Sequence, residues 1–333
     1  MYKVFFRYRA AAVGIVLLIS QLAGGVSVAA QDMVFSQVMF SQLYFNPAFA
    51  GITPYPRLTS GYRNQWPGIN NAYVSYYVTY DQYVKALAGG IGIGLSRDGQ
   101  GNAFSKNTVD VMYSYPIELT RDVNLNLGLQ ASLVQKKLDA SGLSLPDQDP
   151  YQSVGAQEYI PSESLLYSDF SAGASFFIKE QYQVNLAVHH ITKPNEGAGS
   201  EIYRTPRRFT VQLFGQYPAP KVRYGSEKIL FQPGLMAQFQ KTYNFLSWGA
   251  NVVYSSFRGG VWTRNSLDLK FNTVVLLAGY SNSGLSINYS YDLWMPKTYQ
   301  QVGNYGAHEV TFIYLFQYND PKKKLRIIKC PKF

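Results

Sequence analysis

Alternation of apolar and polar residues with a period of two is the feature that most constrains how this chain folds. From 123 to 133 every odd position is Val, Leu or Ala, and the even positions are Asn, Asn, Gly, Gln and Ser. Residues 285–293 alternate in the same way, and near the end Val310, Phe312, Tyr314, Phe316 and Tyr318 alternate with Glu309, Thr311 and Gln317. Successive side chains of a strand point to opposite faces, so each segment has one apolar and one polar face. Alternation over about ten residues is typical of outer-membrane strands, whereas strands of soluble sandwiches average about five or six residues. The pattern therefore favours an all-β transmembrane barrel.

Counting such segments predicts about 14 antiparallel strands, an even number, as a single-chain barrel with both termini in the periplasm requires. If the first strand runs outward, connections 98–105, 139–165, 193–204 and 295–305 are extracellular, where longer loops are expected. Connection 220–226 is the exception, since it is long for a periplasmic turn. The predicted strands are 57–66, 71–83, 87–97, 106–119, 122–138, 166–180, 182–192, 205–219, 227–241, 244–256, 258–268, 271–281, 284–294 and 306–318.

Aromatic residues make up 16% of the chain, as expected where rings line both membrane boundaries. Trp248, Trp262 and Trp294 fall near predicted strand ends, and we expect them in such a girdle. Aromatic pairs in a soluble core are the alternative reading of this composition.

The N-terminus reads as a secretory signal peptide. A basic start is followed by an apolar run at 10–19 and by small residues before Gln31. The apolar run is shorter than the roughly 20 residues that a membrane-spanning helix needs. We therefore expect residues 1–30 to be a cleaved signal, with cleavage between Ala30 and Gln31.

Basic charge is concentrated at the C-terminus. The formal net charge is +10, and residues 319–333 carry six basic residues against one acidic residue. A nucleic-acid-binding protein would spread such charge over a face, with aromatic residues between the basic ones. We expect 319–333 to be a periplasmic basic tail. It is either a docking segment for an acidic partner or a solvated charge run.

The sequence predicts no catalytic site, cofactor or metal centre. His189 and His190 are adjacent, and neighbouring strand residues should point to opposite faces, so we expect them not to share a ligand. The Gly-rich residues 90–94 lack the strand–turn–helix context of a phosphate loop. We interpret their glycines as a lumen-facing row of a barrel strand. Serines are numerous, but spacing places no Ser, His and acid together.

Several ordered motifs resemble the PorP/SprF family of type IX secretion system outer-membrane proteins. Residues 35–37 read FSQ, residues 43–51 read LYFNPAFAG, and residues 62–68 read YRNQWPG. Residues 189–195 (HHITKPN), 260–265 (GVWTRN) and 329–333 (KCPKF) are similar to further family segments, although Thr263 replaces a more usual aromatic residue. The resemblance covers nearly the whole mature chain.

The resemblance implies an outer-membrane component that assists secretion or surface attachment of adhesin-like proteins, including adhesins of gliding bacteria. Its implied partners are secreted proteins with a type IX C-terminal signal domain, and periplasmic or lipoprotein parts of the machinery. The alternative function is a passive outer-membrane pore or transporter, since a 14-strand barrel is wide enough to conduct if its lumen is open.

Two groups of residues are candidate partner-binding sites. Arg and Trp are frequent interface anchors, and the first group lies near the outer end of the first strand. A Pro-Gly turn with an interfacial Trp is the structural alternative for that group. The first group is Arg63, Gln65, Trp66 and Gly68, and the second is Lys322, Lys323, Lys324 and Arg326 in the tail.

The predicted organisation has four parts: a signal peptide at 1–30, an N-terminal segment at 31–55, the barrel at 56–318 and the tail at 319–333. The polar and aromatic N-terminal segment either enters the lumen as a plug or lies in the periplasm. We favour the lumen.

Overall fold

The computed structural model describes residues 32–69, 72–101, 103–139, 162–197, 202–218, 229–241, 243–266, 271–294 and 306–317. In this part of the chain, no helix has both the length and the apolar character to cross a membrane. The signal peptide and the basic tail predicted from the sequence lie outside the described residues.

Fourteen antiparallel strands form the described fold, as the alternation predicted. The eighth strand, β8, is interrupted at Gln216 and continues at Tyr217–Pro218. The strands are β1 Arg57–Gln65, β2 Tyr73–Val84, β3 Gly89–Gln100, β4 Phe104–Thr120, β5 Val123–Leu138, β6 Glu163–Ile178, β7 Tyr182–His189, β8 Arg208–Gly215, β9 Ile229–Gln240, β10 Tyr243–Tyr254, β11 Phe257–Ser266, β12 Phe271–Asn282, β13 Leu285–Trp294 and β14 Ala307–Leu315.

The sheet closes on itself between its first and last strands. β1 pairs with β14 from Arg57↔Leu315 to Gln65↔Ala307, and on its other side β1 pairs with β2. Among the described strands, closure leaves no open sheet edge, which in lipid would expose backbone N–H and C=O groups without partners.

Both chain ends of the barrel lie at the same end of the wall, because the number of strands is even. Turns 121–122 and 283–284 are at this end, and the strand ends that are joined by 139–162, 190–207 and 295–306 lie at the other. Since extracellular loops are the longer kind, the end with long connections is the outer end. The connection between β8 and β9 is again the exception, because it is long although it joins the strands at the periplasmic end.

Side chains alternate between the two faces of the wall. On β5, Leu129 is 65% exposed on the outer face, whereas Asn126 on the inner face is fully buried. Gly90, Gly92 and Gly94 of β3 face inward as predicted, while Ile93 and Leu95 face out.

One part of the expected aromatic girdle is wrong. Trp262 is only 3% exposed and points into the barrel, where its indole Nε1 donates to Asn251 Oδ1 at 2.9 Å. Its position in β11 puts it on the inward face, and ring type alone does not reveal the face. Trp248 does face outward, and Trp294 lies at the outer end of β13.

Candidate functional site

The interior of the barrel is occupied by the chain's own N-terminal segment, residues 33–54, here called the plug segment. It contains a short helix, α1 (Gln42–Phe45), and a 3-10 turn at Pro47–Phe49. Phe35, Phe45 and Phe49 of this segment are buried. The segment contacts inward-facing residues on both sides of the barrel. A short, aromatic-rich chain cannot bury these rings by itself, so the wall supplies the rest of its core.

A buried cluster of four charged side chains surrounds Ser36. The Arg63 guanidinium of β1 donates to Asp292 Oδ2 at 2.7 Å and to Glu309 Oε2 at 3.0 Å. Arg264 of β11 lies 3.9 Å from Asp292. Two cations and two carboxylates balance when all are ionised, which is the condition for tolerating charge in a buried site.

Ser36 joins this cluster to the plug segment. Its hydroxyl donates to Asp292 at 2.7 Å and accepts from Arg63 at 2.9 Å and from Arg264 at 2.7 Å. These are the one donor and two acceptors that a hydroxyl offers. Its backbone N–H donates to Glu309 Oε2 at 2.7 Å, and the N–H of Gln37 donates to Glu309 Oε1 at 2.9 Å. Glu309 therefore holds two successive backbone amides of the segment.

Gln37 adds side-chain contacts to the same strands. Its amide nitrogen donates to the Glu309 carbonyl at 2.9 Å and to Ser290 Oγ at 3.1 Å. The FSQ motif thus consists of a buried ring followed by two residues that bind β13 and β14.

Asn46 anchors the segment to the other side of the barrel. Its side-chain oxygen accepts from Ala48 N at 2.9 Å and so begins the 3-10 turn. Its amide nitrogen donates to the carbonyls of Ala174 in β6 at 3.2 Å and Leu186 in β7 at 3.1 Å. One side chain therefore caps the turn and ties it to two strands.

Two glycines leave the inner face of the wall without side chains where this turn packs. Gly128 of β5 and Gly173 of β6 are register partners. A Cβ at Gly128 would overlap the backbone at Ala48, and a Cβ at Gly173 would overlap the Asn46 side-chain oxygen. Glycine at both positions allows the close approach of the plug segment.

The end of the segment is held by an ion pair between neighbouring strands. Arg57 Nε donates to Asp81 Oδ1 at 2.9 Å, and Arg57 Nη2 donates to the Phe49 carbonyl at 3.2 Å. Gly51 has φ +61° and donates its N–H to Asp81 Oδ2 at 2.8 Å. The left-handed backbone at Gly51 turns the chain toward the start of β1.

At the outer end, the connection between β7 and β8 folds into the mouth of the barrel. Glu196 of this loop is buried, and its carboxylate pairs with Lys106 of β4 at 3.3 Å and Lys136 of β5 at 3.5 Å. It also accepts a hydrogen bond from the Tyr167 hydroxyl of β6. Burial acts to raise the pKa of Glu196, but the two lysines and Tyr167 outweigh it and hold that pKa below the ordinary value.

His189 and His190 correct an expectation from the sequence, because both side chains lie on the inner side. His189 ends β7 and its Nε2 lies 3.0 Å from the Phe45 carbonyl, while His190 Nδ1 lies 2.7 Å from Asp169 Oδ2. His190 follows the strand and has φ +57°, so strand alternation no longer determines its direction. Among the described residues, no group of three His, Cys, Asp or Glu side chains is arranged to hold a metal ion.

The structure separates the first group of candidate partner-binding residues. Arg63 points inward and is committed to the buried cluster. Trp66 lies at the outer rim with φ +60°, with its ring 5.1 Å from that of Tyr73 and 5.6 Å from that of Trp294. Gly68 is exposed in the same connection, and Gln65 ends β1. Lys322, Lys323, Lys324, Arg326, Ala30 and Gln31 lie outside the described residues.

Sequence reasoning missed the partners of Arg63. Asp292 and Glu309 occupy inward positions of strands that the alternation located correctly. The sequence signal was an acidic residue on the inner face of a transmembrane strand. Such a residue can be paired with Arg63 only once it is known that β14 closes the barrel on β1. The role of Ser36 could not be predicted, because three of its hydrogen-bond partners lie more than 200 residues away in the sequence.

Comparison with solved structures finds outer-membrane proteins of low sequence identity. The Acinetobacter baumannii protein Omp33 is 6% identical, with 80% of this chain and 100% of that chain covered and a TM-score of 0.45. The Pseudomonas putida toluene transporter TodX is 11% identical, with coverage of 82% and 93% and a TM-score of 0.46. A Pseudomonas aeruginosa FadL homologue is 12% identical, with coverage of 84% and 97% and a TM-score of 0.41. No curated protein matches the sequence.

Comparison with protein families gives a match over most of the chain. The model of the type IX secretion system membrane protein PorP/SprF matches residues 27–314, which include the plug segment and the strands through most of β14. Closed strands with an apolar outer face place the protein in the outer membrane. The family and the fold are those of a secretion or transport barrel, and the chain belongs to the PorP/SprF family of type IX secretion system membrane proteins.

Proposed function

We propose that this protein is a plugged outer-membrane scaffold of the type IX system. In this role it assists secretion or surface anchoring of adhesin-like proteins and is not an open pore. The observation that carries the proposal is the plug segment, which is tied to the wall by Ser36, Asn46 and Gly51. A lumen held closed by a buried, charge-balanced cluster leaves the rims as the surfaces available to partners.

The partner that we propose at the outer rim is a secreted protein with a type IX C-terminal signal domain. Trp66 is partly exposed beside Tyr73 and Trp294, and aromatic side chains are enriched among interface hot spots. Gln65 and Gly68 flank this cluster. Arg63 contributes by fixing the end of β1 from inside, not by direct contact.

At the periplasmic end, we propose that Lys322, Lys323, Lys324 and Arg326 bind an acidic surface of a periplasmic or lipoprotein component of the machinery. Clustered cations support association with acidic partners through charge complementarity. This contact would link the barrel to the secretion or gliding machinery.

Affinity purification of the tagged full chain from its native outer membrane, with mass spectrometry of bound proteins, tests the proposal. We expect recovery of a large secreted protein that ends in a type IX signal domain. Trp66→Ala should reduce its recovery, whereas Trp248→Ala, on the lipid-facing wall, should leave it unchanged. Removal of residues 320–333 should reduce only the periplasmic components. Recovery of the barrel alone after crosslinking would refute the scaffold role and favour the pore.

A further inference from the structure

The outer wall of the barrel has a concavity on the lipid-facing side of β2 to β6. It has a volume of about 590 Å³. A closed sheet presents a convex surface to its surroundings, so a concavity of this size offers a place where the wall can enclose part of a ligand. The volume lies within the range of about 300–1,000 Å³ that is usual for small-molecule sites.

Two register rows form the concavity. The lower row is apolar and consists of Val78, Leu95, Val109 and Leu133, which are successive partners across β2 to β5. All four are exposed on the outer face. Their side chains make a surface suited to a hydrocarbon chain.

The upper row is polar at its centre, between Tyr76 of β2 and Leu166 of β6. Arg97, Asn107 and Gln135 are successive register partners on β3, β4 and β5. Asn107 Nδ2 lies 3.5 Å from Gln135 Oε1, and both line the concavity. On β3 the outward positions change from Ile93 and Leu95 to Arg97. Such a change from apolar to polar marks the boundary of the hydrocarbon layer at the outer end.

Arg97 is the cation of this site. It is exposed, and among the described residues no ion pair involves it. Its neighbour Asp98 faces inward and accepts a hydrogen bond from Ser75. A guanidinium held at the membrane boundary matches phosphate, which it binds through two parallel N–H groups.

We propose that this concavity binds a phosphate-bearing lipid of the outer leaflet, of the lipid A class. An acyl chain lies along the Leu95 and Leu133 row, and a headgroup phosphate pairs with Arg97. The bound lipid seals the dent in the wall and fixes the long strands β4 to β6, whose outer ends carry the lysines that hold Glu196.

Native mass spectrometry of the full chain in mild detergent tests this site, with lipid A and its dephosphorylated form as probes. We expect one retained lipid A. Arg97→Gln should weaken retention by about tenfold or more, because a hydrogen-bonded charge contact of about 1.5–3 kcal/mol is lost. Leu133→Trp, which fills the concavity and keeps Arg97, should also lose the lipid. Lys137→Gln is the matched control, since this exposed cation of β5 lies outside the concavity, and retention should be unchanged.

Heat-modifiable gel mobility of each variant verifies that the barrel is folded. Equal retention of the dephosphorylated probe, or unchanged retention of lipid A by both Arg97→Gln and Leu133→Trp, would overturn the assignment. Neither result depends on recovery of a secreted partner, so the lipid site and the scaffold role fail separately.

Discussion

Ser36 is a small residue in a short motif, yet it makes four hydrogen bonds to charged side chains. Its hydroxyl and its amide together contact Arg63, Arg264, Asp292 and Glu309. These four charged side chains come from four different strands, and each of them forms a hydrogen bond with Ser36. At the scale of single residues, the plug segment and the wall share one electrostatic core.

Replacing Arg63 tests that core. In Arg63→Gln, Asp292 and Glu309 stay buried with Arg264 as the remaining nearby cation, and we expect a loss of about 3–5 kcal/mol in the free energy of unfolding. Reversible urea unfolding from lipid vesicles measures it. Arg121→Gln, in an exposed periplasmic turn, should change the free energy by less than about 0.5 kcal/mol. A loss below about 1 kcal/mol for Arg63→Gln would contradict a buried cluster.

Glu196 gives the outer loop a defined pH dependence. Its pKa is lowered in the closed loop, so the carboxylate stabilises closure at pH values above its ordinary pKa of 4.5. This stabilisation is lost as the pH falls through the lowered pKa. We expect the loop to stay closed at neutral pH and at pH values down to 4.5, and to open only when the pH falls below 4.5 and through the lowered pKa.

Hydroxyl-radical footprinting of Tyr167 across this pH range measures the opening, because Tyr167 lies against Glu196 in the closed loop. Glu196→Gln should expose Tyr167 at every pH and remove the pH dependence. Glu118→Gln, on the exposed surface of β4, is the control and should behave as the wild type. Persistent protection of Tyr167 in Glu196→Gln would show that the carboxylate does not hold the loop.

At the scale of elements, the 3-10 turn packs closely against the β5–β6 pair. Gly128→Ala adds a Cβ that overlaps the backbone of Ala48, so either the turn or the strand must move. Overpacking of this kind costs about 1–3 kcal/mol. Gly259→Ala is a matched control on β11, because a Cβ there meets nothing within 4 Å. Urea unfolding of both variants checks the difference, and equal stability would mean that the turn does not rest on Gly128.

The elements themselves could be predicted from the sequence, but their interior contacts could not. Alternation located β5 at 122–138 against the observed Val123–Leu138, because a two-faced environment repeats at every second residue. The same reasoning failed at His190 and Trp262. His190 has left the strand, and Trp262 faces inward despite its ring type. The contacts of Ser36 and Asn46 join distant parts of the chain, and no local period encodes such pairs.

At the scale of the whole molecule, the question is whether the filled barrel conducts ions. A 14-strand barrel is wide enough for a channel when its lumen is empty. Here the plug segment reaches from Ser36, held by β1, β11, β13 and β14, to Asn46, held by β6 and β7. Because the segment contacts both sides of the lumen, we expect it to obstruct a continuous water path.

Planar-bilayer recording measures this closure. We expect no steady current from the full chain and stable open steps after deletion of residues 33–54. The control is Ala50→Cys with Gly92→Cys in a Cys330→Ser background, since a Cβ at residue 92 would lie 3.5 Å from that of Ala50. That separation suits a disulfide. The oxidised variant should be covalently linked and closed, which ties closure to the position of the segment. Steady current through this linked form would mean that water passes beside the segment, and the protein would then be a pore with its N-terminus fixed to one wall.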